Sequence, residues 1–135
     1  MKLVLDANIY ISSFFWGGNP RRIIERIISG KDLLFVSKEI LTEVFSVMSR
    51  PKFDMKEEHI SRFINSIEEI AFDIKLTSSI QNVCRDKDDD KIIECAVLAN
   101  ADYIITGDDD LLTIKEFRGT KIITANEYIN ILKTN

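Results

Sequence analysis

The chain has 135 residues, of which 45% are hydrophobic and 30% are charged, and its 18 basic and 22 acidic residues leave a net charge of −4. This length and apolar content suit one domain with one core, which we predict over residues 1–135. The acidic balance excludes a strongly basic surface of the kind that marks tight nucleic-acid binding, but it does not exclude a local site where a metal neutralises the acids.

Neither the N-terminus nor the cysteines indicate export or membrane insertion. The apolar run at the N-terminus is interrupted by Asp6 and Asn8, and no small-residue cleavage site follows, so we do not interpret it as a signal peptide. No apolar run approaches the roughly 20 residues that a membrane span requires. Cys84 and Cys95 lack metal-binding spacing and are typical of reduced structural thiols. We therefore predict a cytoplasmic protein.

In the first half of the chain, apolar strands alternate with amphipathic helices. Short runs of branched residues predict buried strands over residues 2–6 and 33–36. Between them we expect a helical turn over 9–15, a loop, and a helix that begins at Pro20 and stops at Gly30. Further helices are predicted over 38–49, capped by Ser37 and ended by Pro51, and over 56–70.

The second half continues this alternation around an aspartate-rich turn. A strand over 72–76 and a helical turn over 78–83 precede the turn, and a helix over 90–100 and a strand over 103–106 follow it. A helical turn near 111–114, a strand over 121–124 and a helix over 125–132 complete the prediction. Strands that alternate with helices indicate an α/β fold with a mostly parallel sheet covered on both faces.

Four acidic side chains are predicted to meet at one edge of this sheet. Ligand sites in open parallel sheets form beyond the carboxyl ends of the strands. Asp6 follows the first strand, and Asp108 follows the strand over 103–106 after a glycine. Asp90 opens a helix near the same edge, and Glu43 would reach in from a flanking helix. Clustered carboxylates repel one another unless a cation lies between them, and hard oxygen ligands favour Mg²⁺ or Mn²⁺.

Each acid also has a structural explanation. Helix capping accounts for Asp6 and Asp90, and the helix dipole favours Asp109 and Asp110 in a first turn. Glu94 lies four residues after Asp90 on the same helical face, either as a solvated surface glutamate or as an acid that supports the site. A solvated turn is the expectation for three further aspartates: Asp86, Asp88 and Asp89.

Three segments together resemble the PIN-domain family, and most closely its VapC-type toxin components of toxin–antitoxin pairs. They are LDANIYISSF, the helix with Glu43 that ends in SRPKF, and DDDKIIECAVLANADYIITGDDDLL. The resemblance covers nearly the whole chain and implies a PIN-like three-layer α/β/α domain with a mostly parallel central sheet. It places the catalytic and metal-ligating acids on Asp6, Glu43, Asp90 and Asp108. Supporting polar groups fall on Asn8, Thr106 and Asp110, while Ala7 replaces a threonine or serine that many relatives carry.

The resemblance implies an endoribonuclease that depends on one or two Mg²⁺ or Mn²⁺ ions and acts as the toxin of a toxin–antitoxin pair. Its partners would be an RNA substrate, a cognate antitoxin and a second copy in a homodimer. A phosphodiester is anionic, so bound cations are needed to reverse the potential of the acids and to activate water. We expect Asp6, Asp90 and Asp108 to ligate metal, and Glu43 to ligate metal or to orient the attacking water.

Three other classes of protein share some of these sequence features. A non-catalytic PIN-like module that binds RNA or protein would share the fold, but four unused acids would destabilise it by mutual repulsion. A phosphohydrolase of the haloacid-dehalogenase type needs a second acid where this chain has Asn8, and a receiver-type signalling domain needs two adjacent early acids where only Asp6 is found. Seven basic residues near the motifs are expected to be solvated: Arg21, Arg22, Arg50, Lys52, Lys87, Lys91 and Lys115.

Overall fold

The computed structural model describes residues 1–134. Its strands are β1 (Lys2–Leu5), β2 (Leu33–Val36), β3 (Ala71–Asp73), β4 (Tyr103–Ile105), β5 (Glu116–Phe117) and β6 (Thr120–Ile123). Its helices are α1 (Ala7–Phe15), α2 (Gly18–Ile28), α3 (Lys38–Met48), α4 (Glu57–Ile70), α5 (Asp90–Ala99), α6 (Asp109–Leu112) and α7 (Ala125–Lys133). Short 3₁₀ turns lie at Pro51–Phe53 and Lys87–Asp89.

The strands form one sheet in the order β3-β2-β1-β4-β6-β5. All neighbouring strands are parallel except β5 and β6. The chain moves outward from β1 to β3 and then returns through α5 to β4 on the other side of β1. The direction of winding therefore changes between β1 and β4, which is where open α/β sheets bind ligands at the carboxyl ends of their strands.

Helices cover both faces of the sheet. Successive strand residues point to opposite faces, yet Leu3, Val4 and Leu5 are all fully buried. Helix α5 packs across β1, β2 and β4, while in the other layer α1 contacts α2 and α3, α2 contacts α7, and α3 contacts α4. The predicted three-layer α/β/α class is confirmed. The single domain over 1–135 stays a prediction, and its last residue, Asn135, lies outside the described residues.

Most predicted elements agree with the structure to within two residues. Two predicted elements differ, and one strand of the structure has no predicted counterpart. The strand expected over 72–76 is shorter, at Ala71–Asp73. The helical turn expected over 78–83 is wrong, because the backbone N–H groups of this segment bond to side chains of α5. Strand β5 was not predicted, since two residues carry no periodic signal. Cys84 and Cys95 are free and buried. None of the described helices is long and apolar enough to cross a membrane.

Candidate active site

Asp6 is at once the cap of α1 and an acid of the site. Its Oδ1 accepts a hydrogen bond from the Ala7 N–H at 2.7 Å, and its Oδ2 accepts one from the Thr106 hydroxyl at 2.8 Å. The residue is only 4% exposed. Burial raises its pKa, the bond from Thr106 opposes this, and the charges of Glu43 and Asp108 raise it further. The net pKa lies above the ordinary value, mainly because the carboxyl group is buried.

Thr106 connects the ends of the two central strands. Its hydroxyl donates to Asp6 and accepts a hydrogen bond from the Asp108 N–H at 3.0 Å. The side chain of Asp108 caps α6 by accepting from the Asp110 N–H at 3.2 Å. Asp110 lies 3.9 Å from a guanidinium nitrogen of Arg85. The structure thus brings Thr106, Asp108 and Asp110 to the predicted edge beside Asp6.

The carboxylate of Asp90 faces the segment that precedes it. Its Oδ2 accepts from the Asn82 N–H at 2.9 Å, and its Oδ1 accepts from the N–H groups of Val83 at 3.2 Å and Cys84 at 2.7 Å. Burial raises the pKa of Asp90, but these bonds and the Cys84 thiol outweigh that effect and hold it below the ordinary value. Both oxygens are therefore engaged by the protein itself, and the expected role of Asp90 as a metal ligand stays a prediction.

Asp89, which was expected to be solvated, is the aspartate of this turn that meets the acidic cluster. Burial, a hydrogen bond with Asp108 and the charges of Asp108, Asp6 and Asp86 raise its pKa to about 7. A neighbouring carboxylate charge favours the protonated form of the Asp89 carboxyl group. Successive residues at a helix start point about 100° apart, so the sequence could not decide which of two adjacent aspartates would face the site.

Glu43 reaches the site from α3, as expected. Its charge raises the pKa of Asp6, and its carboxylate forms an ion pair with the ammonium of Lys91 in the first turn of α5. The side chain of Lys91 is 20% exposed and that of Glu43 is 32% exposed. The pair joins the two helical layers beside the acids, so the expectation of a solvated Lys91 is wrong.

The two remaining supporting residues lie in different environments. Asn8 is exposed in the first turn of α1. Glu94 is 2% exposed, and its carboxylate accepts hydrogen bonds from the N–H groups of Thr77 at 2.6 Å, Ser78 at 3.1 Å and Ile80 at 3.1 Å. Glu94 therefore fixes the segment before the aspartate-rich turn, and its interpretation as a solvated surface residue is wrong.

The donor set suits a hard divalent cation in its chemistry. Within residues 1–134, no three histidine, cysteine or acidic side chains converge tightly enough to hold an ion as they stand. Burial is the largest cause that raises the pKa of Asp6 and Asp89, and repulsion from neighbouring carboxylates raises both further. A divalent cation would relieve that repulsion, and carboxylates are the ligands that Mg²⁺ and Mn²⁺ prefer. The carboxylates fit such an ion by their donor chemistry alone.

Comparisons with known proteins identify the family. A family model of the PIN domain matches residues 2–110. The uncharacterized protein MJ1680 of Methanocaldococcus jannaschii is 32% identical to this chain over an alignment 135 residues long. The alignment covers 97% of this chain and 81% of that protein. A chain in the crystal structure of VapBC2 from Rickettsia felis, bound to a DNA fragment from their promoter, has the same fold with a TM-score of 0.62. It is 14% identical, and the match covers 90% of this chain and 97% of that one. The family match, which spans most of the chain, shows that this chain belongs to the PIN-domain family, as its motifs predicted.

Proposed function

We propose that this protein is a divalent-metal-dependent endoribonuclease. The observation that carries the proposal is the arrangement of Asp6 and Asp108 about the Thr106 hydroxyl at the switch point of the sheet, with Asp89 beside Asp108. Acids concentrated in this way need a cation, and a cation held there attracts an anionic phosphodiester. Members of the PIN-domain family are generally nucleases, which supports the same class of reaction.

Each acid has a distinct part in this proposal. Asp6, Asp108 and Glu43 would hold one or two Mg²⁺ or Mn²⁺ ions. A bound ion polarises a phosphoryl oxygen and lowers the pKa of a coordinated water. The Thr106 hydroxyl orients Asp6 and the backbone that leads to Asp108. Glu43, which comes from the opposite helical layer, is placed to orient the attacking water or to take its proton.

We assign the remaining acidic position to Asp89. The resemblance places it on Asp90, whose two oxygens already accept three backbone hydrogen bonds. Moving the Asp90 carboxylate to a metal would leave those N–H groups without this acceptor, which is costly above all for the buried N–H of Cys84. Asp89 is next to Asp108 and needs no such rearrangement. Asp90 then positions the turn from which Asp89 projects.

We further propose that the protein is the toxin of a toxin–antitoxin pair. The solved chain that shares its fold belongs to VapBC2, which was crystallised on promoter DNA. A cognate antitoxin, a homodimeric assembly, an RNA substrate and a cytoplasmic location all belong to this proposal.

Cleavage of a structured RNA by the purified protein tests the proposed activity. We expect cutting with Mn²⁺ and none with chelator. In Asp6→Asn the rate of cutting should fall by about a hundredfold or more, as for the loss of one group that stabilises charge in the transition state. The matched control is Asp54→Asn, because Asp54 is exposed outside the site and has a left-handed backbone that asparagine tolerates. This variant should cut at the rate of the wild type.

Two results would contradict the proposal. Cutting that survives in Asp6→Asn would indicate a contaminating ribonuclease or a different site. Tight Mn²⁺ binding without cleavage of any RNA tested would favour the alternative, a PIN-like module that binds RNA or protein without catalysis.

A further inference from the structure

Lys91 places a positive charge inside the acidic site. It lies in the first turn of α5, directly after the aspartate-rich turn, and its ammonium pairs with Glu43 on α3. Both side chains are partly buried, at 20% and 32% exposure. Arg85, by contrast, is 87% exposed and lies 3.9 Å from Asp110. An ion pair shielded from solvent is screened less by salt than an exposed pair is, so the contact of Lys91 carries more weight.

The pair matters because Glu43 acts on the rest of the site. The charge of Glu43 contributes to the raised pKa of Asp6, so the two carboxylates are near enough to repel one another. In the absence of metal, the ammonium of Lys91 offsets part of the negative charge of Glu43. It also occupies a carboxylate oxygen, Oε1, that a divalent cation would otherwise use. A cation that enters the site therefore competes with Lys91 for Glu43.

We propose that Lys91 is a positioning residue that keeps Glu43 occupied in the metal-free protein, and that Glu43 exchanges Lys91 for the divalent cation when the site is loaded. This inference rests on the proposed function, which gives Glu43 a place beside the metal. Once released, the ammonium lies at the rim of the site without a carboxylate partner, where the phosphate of an RNA chain is the anion it would meet. Metal loading then converts an internal ion pair into a contact for the substrate.

The affinity for Mn²⁺ in the absence of RNA tests the exchange, measured by electron paramagnetic resonance. Lys91→Met should bind Mn²⁺ roughly two- to fivefold more tightly than the wild type, since a partly exposed ion pair is worth up to about that factor. Lys87→Met is the matched control, because it removes the same charge from an exposed side chain one turn earlier. Its effect should be smaller.

A Glu43→Gln background separates the pair from general electrostatics. If Lys91 acts through Glu43, Lys91→Met in this background should change Mn²⁺ affinity no more than Lys87→Met does. Equal effects of the two lysine substitutions in the otherwise native protein, or weaker Mn²⁺ binding in Lys91→Met, would overturn the exchange.

The wild-type protein offers a second measurement that needs no substitution. The rate at which an acylating reagent modifies each lysine can be followed by mass spectrometry with and without Mn²⁺. Release from Glu43 should make Lys91 react faster when Mn²⁺ is added, while the rate at Lys87 stays the same. An unchanged or slower reaction at Lys91 would refute the exchange. If the wild-type protein binds no Mn²⁺, the proposed metal site and the exchange are both refuted. If Mn²⁺ binds and the acylation rate of Lys91 does not change, only the exchange is refuted.

Discussion

Two adjacent aspartates at the start of α5 have opposite electrostatic environments. Asp90 faces three backbone N–H groups, which favour its ionised form, and its pKa is lowered. Asp89 is partly buried beside Asp108, which favours its protonated form, and its pKa is raised to about 7. Of these two neighbouring aspartates, one therefore holds the backbone and the other is the one that we propose binds a cation.

Stability measurements on two variants distinguish these roles. Asp90→Asn should lower the free energy of unfolding by about 1–3 kcal/mol. The amide oxygen of asparagine accepts weaker hydrogen bonds than a carboxylate does, and its NH₂ group would face backbone N–H donors. Asp89→Asn should leave stability unchanged or raise it at neutral pH, because it removes repulsion. Urea unfolding in chelator measures both. Equal losses in the two variants would contradict the division of roles.

Activity should separate the same pair of residues. We expect Asp89→Asn to stay folded and to lose metal-dependent RNA cleavage. Asp88→Asn is the matched control, because Asp88 is exposed in the same turn, and it should cut as the wild type does. If Asp89→Asn cuts normally while a folded Asp90→Asn does not, the metal ligand is Asp90, as the family resemblance implies.

At the scale of elements, α5 fixes the irregular segment that precedes it. Glu94 and Asp90 lie one helical turn apart and together accept six backbone N–H bonds from residues 77–84. This segment leads directly into the turn that carries Asp89. The helix thereby supplies the hydrogen bonds that the segment cannot make within itself, and it fixes the approach of the turn to the site.

Glu94→Gln should weaken this arrangement. A neutral amide accepts fewer and weaker hydrogen bonds, so the free energy of unfolding should fall by about 1–3 kcal/mol. Hydrogen exchange at Thr77, Ser78 and Ile80 should accelerate while exchange in β1 changes less, because the segment can open locally. Glu116→Gln, an exposed substitution, is the control and should stay within about 0.5 kcal/mol of the wild type. Uniform acceleration in β1 and the segment would show that Glu94 stabilises the whole fold instead.

The same elements show what the sequence could predict. Branched apolar runs located β1, β2 and β4, and the order of strands and helices implied the edge where Asp6 and Asp108 lie, because both depend on local patterns. The predicted helical turn over 78–83 is wrong, since the bonds of this segment go to side chains up to 16 residues away and leave no local periodicity. Contacts of this kind, including the pair of Lys91 with Glu43 at a separation of 48 residues, become visible only in the folded chain.

At the scale of the whole molecule, two groups of carboxyls act on stability in opposite directions. Burial raises the pKa of Asp32, but the hydrogen bonds from Arg26 and the N-terminal amine outweigh burial and hold this pKa below its ordinary value. The pKa of Asp90 is also lowered. Such groups stabilise the folded protein above their ordinary pKa of 3.8 and lose that contribution as the pH falls through their folded pKa. Asp89, with its raised pKa, contributes stability below pH 3.8 that is lost as the pH rises to about 7.

The difference in stability between Asp89→Asn and the wild type should therefore depend on pH. In chelator, the variant should gain free energy of unfolding relative to the wild type as the pH rises from about 4 to about 7, and the difference should stay constant above that. Saturating Mn²⁺ should reduce or reverse the difference, because a cation stabilises the ionised carboxylates and binds only after their protons leave. Urea unfolding across this range, with chelator and with Mn²⁺, measures both effects. A difference that does not vary with pH in chelator would mean that the pKa of Asp89 is not raised in the folded protein, and the acidic site would then lack the repulsion that we expect a metal to relieve.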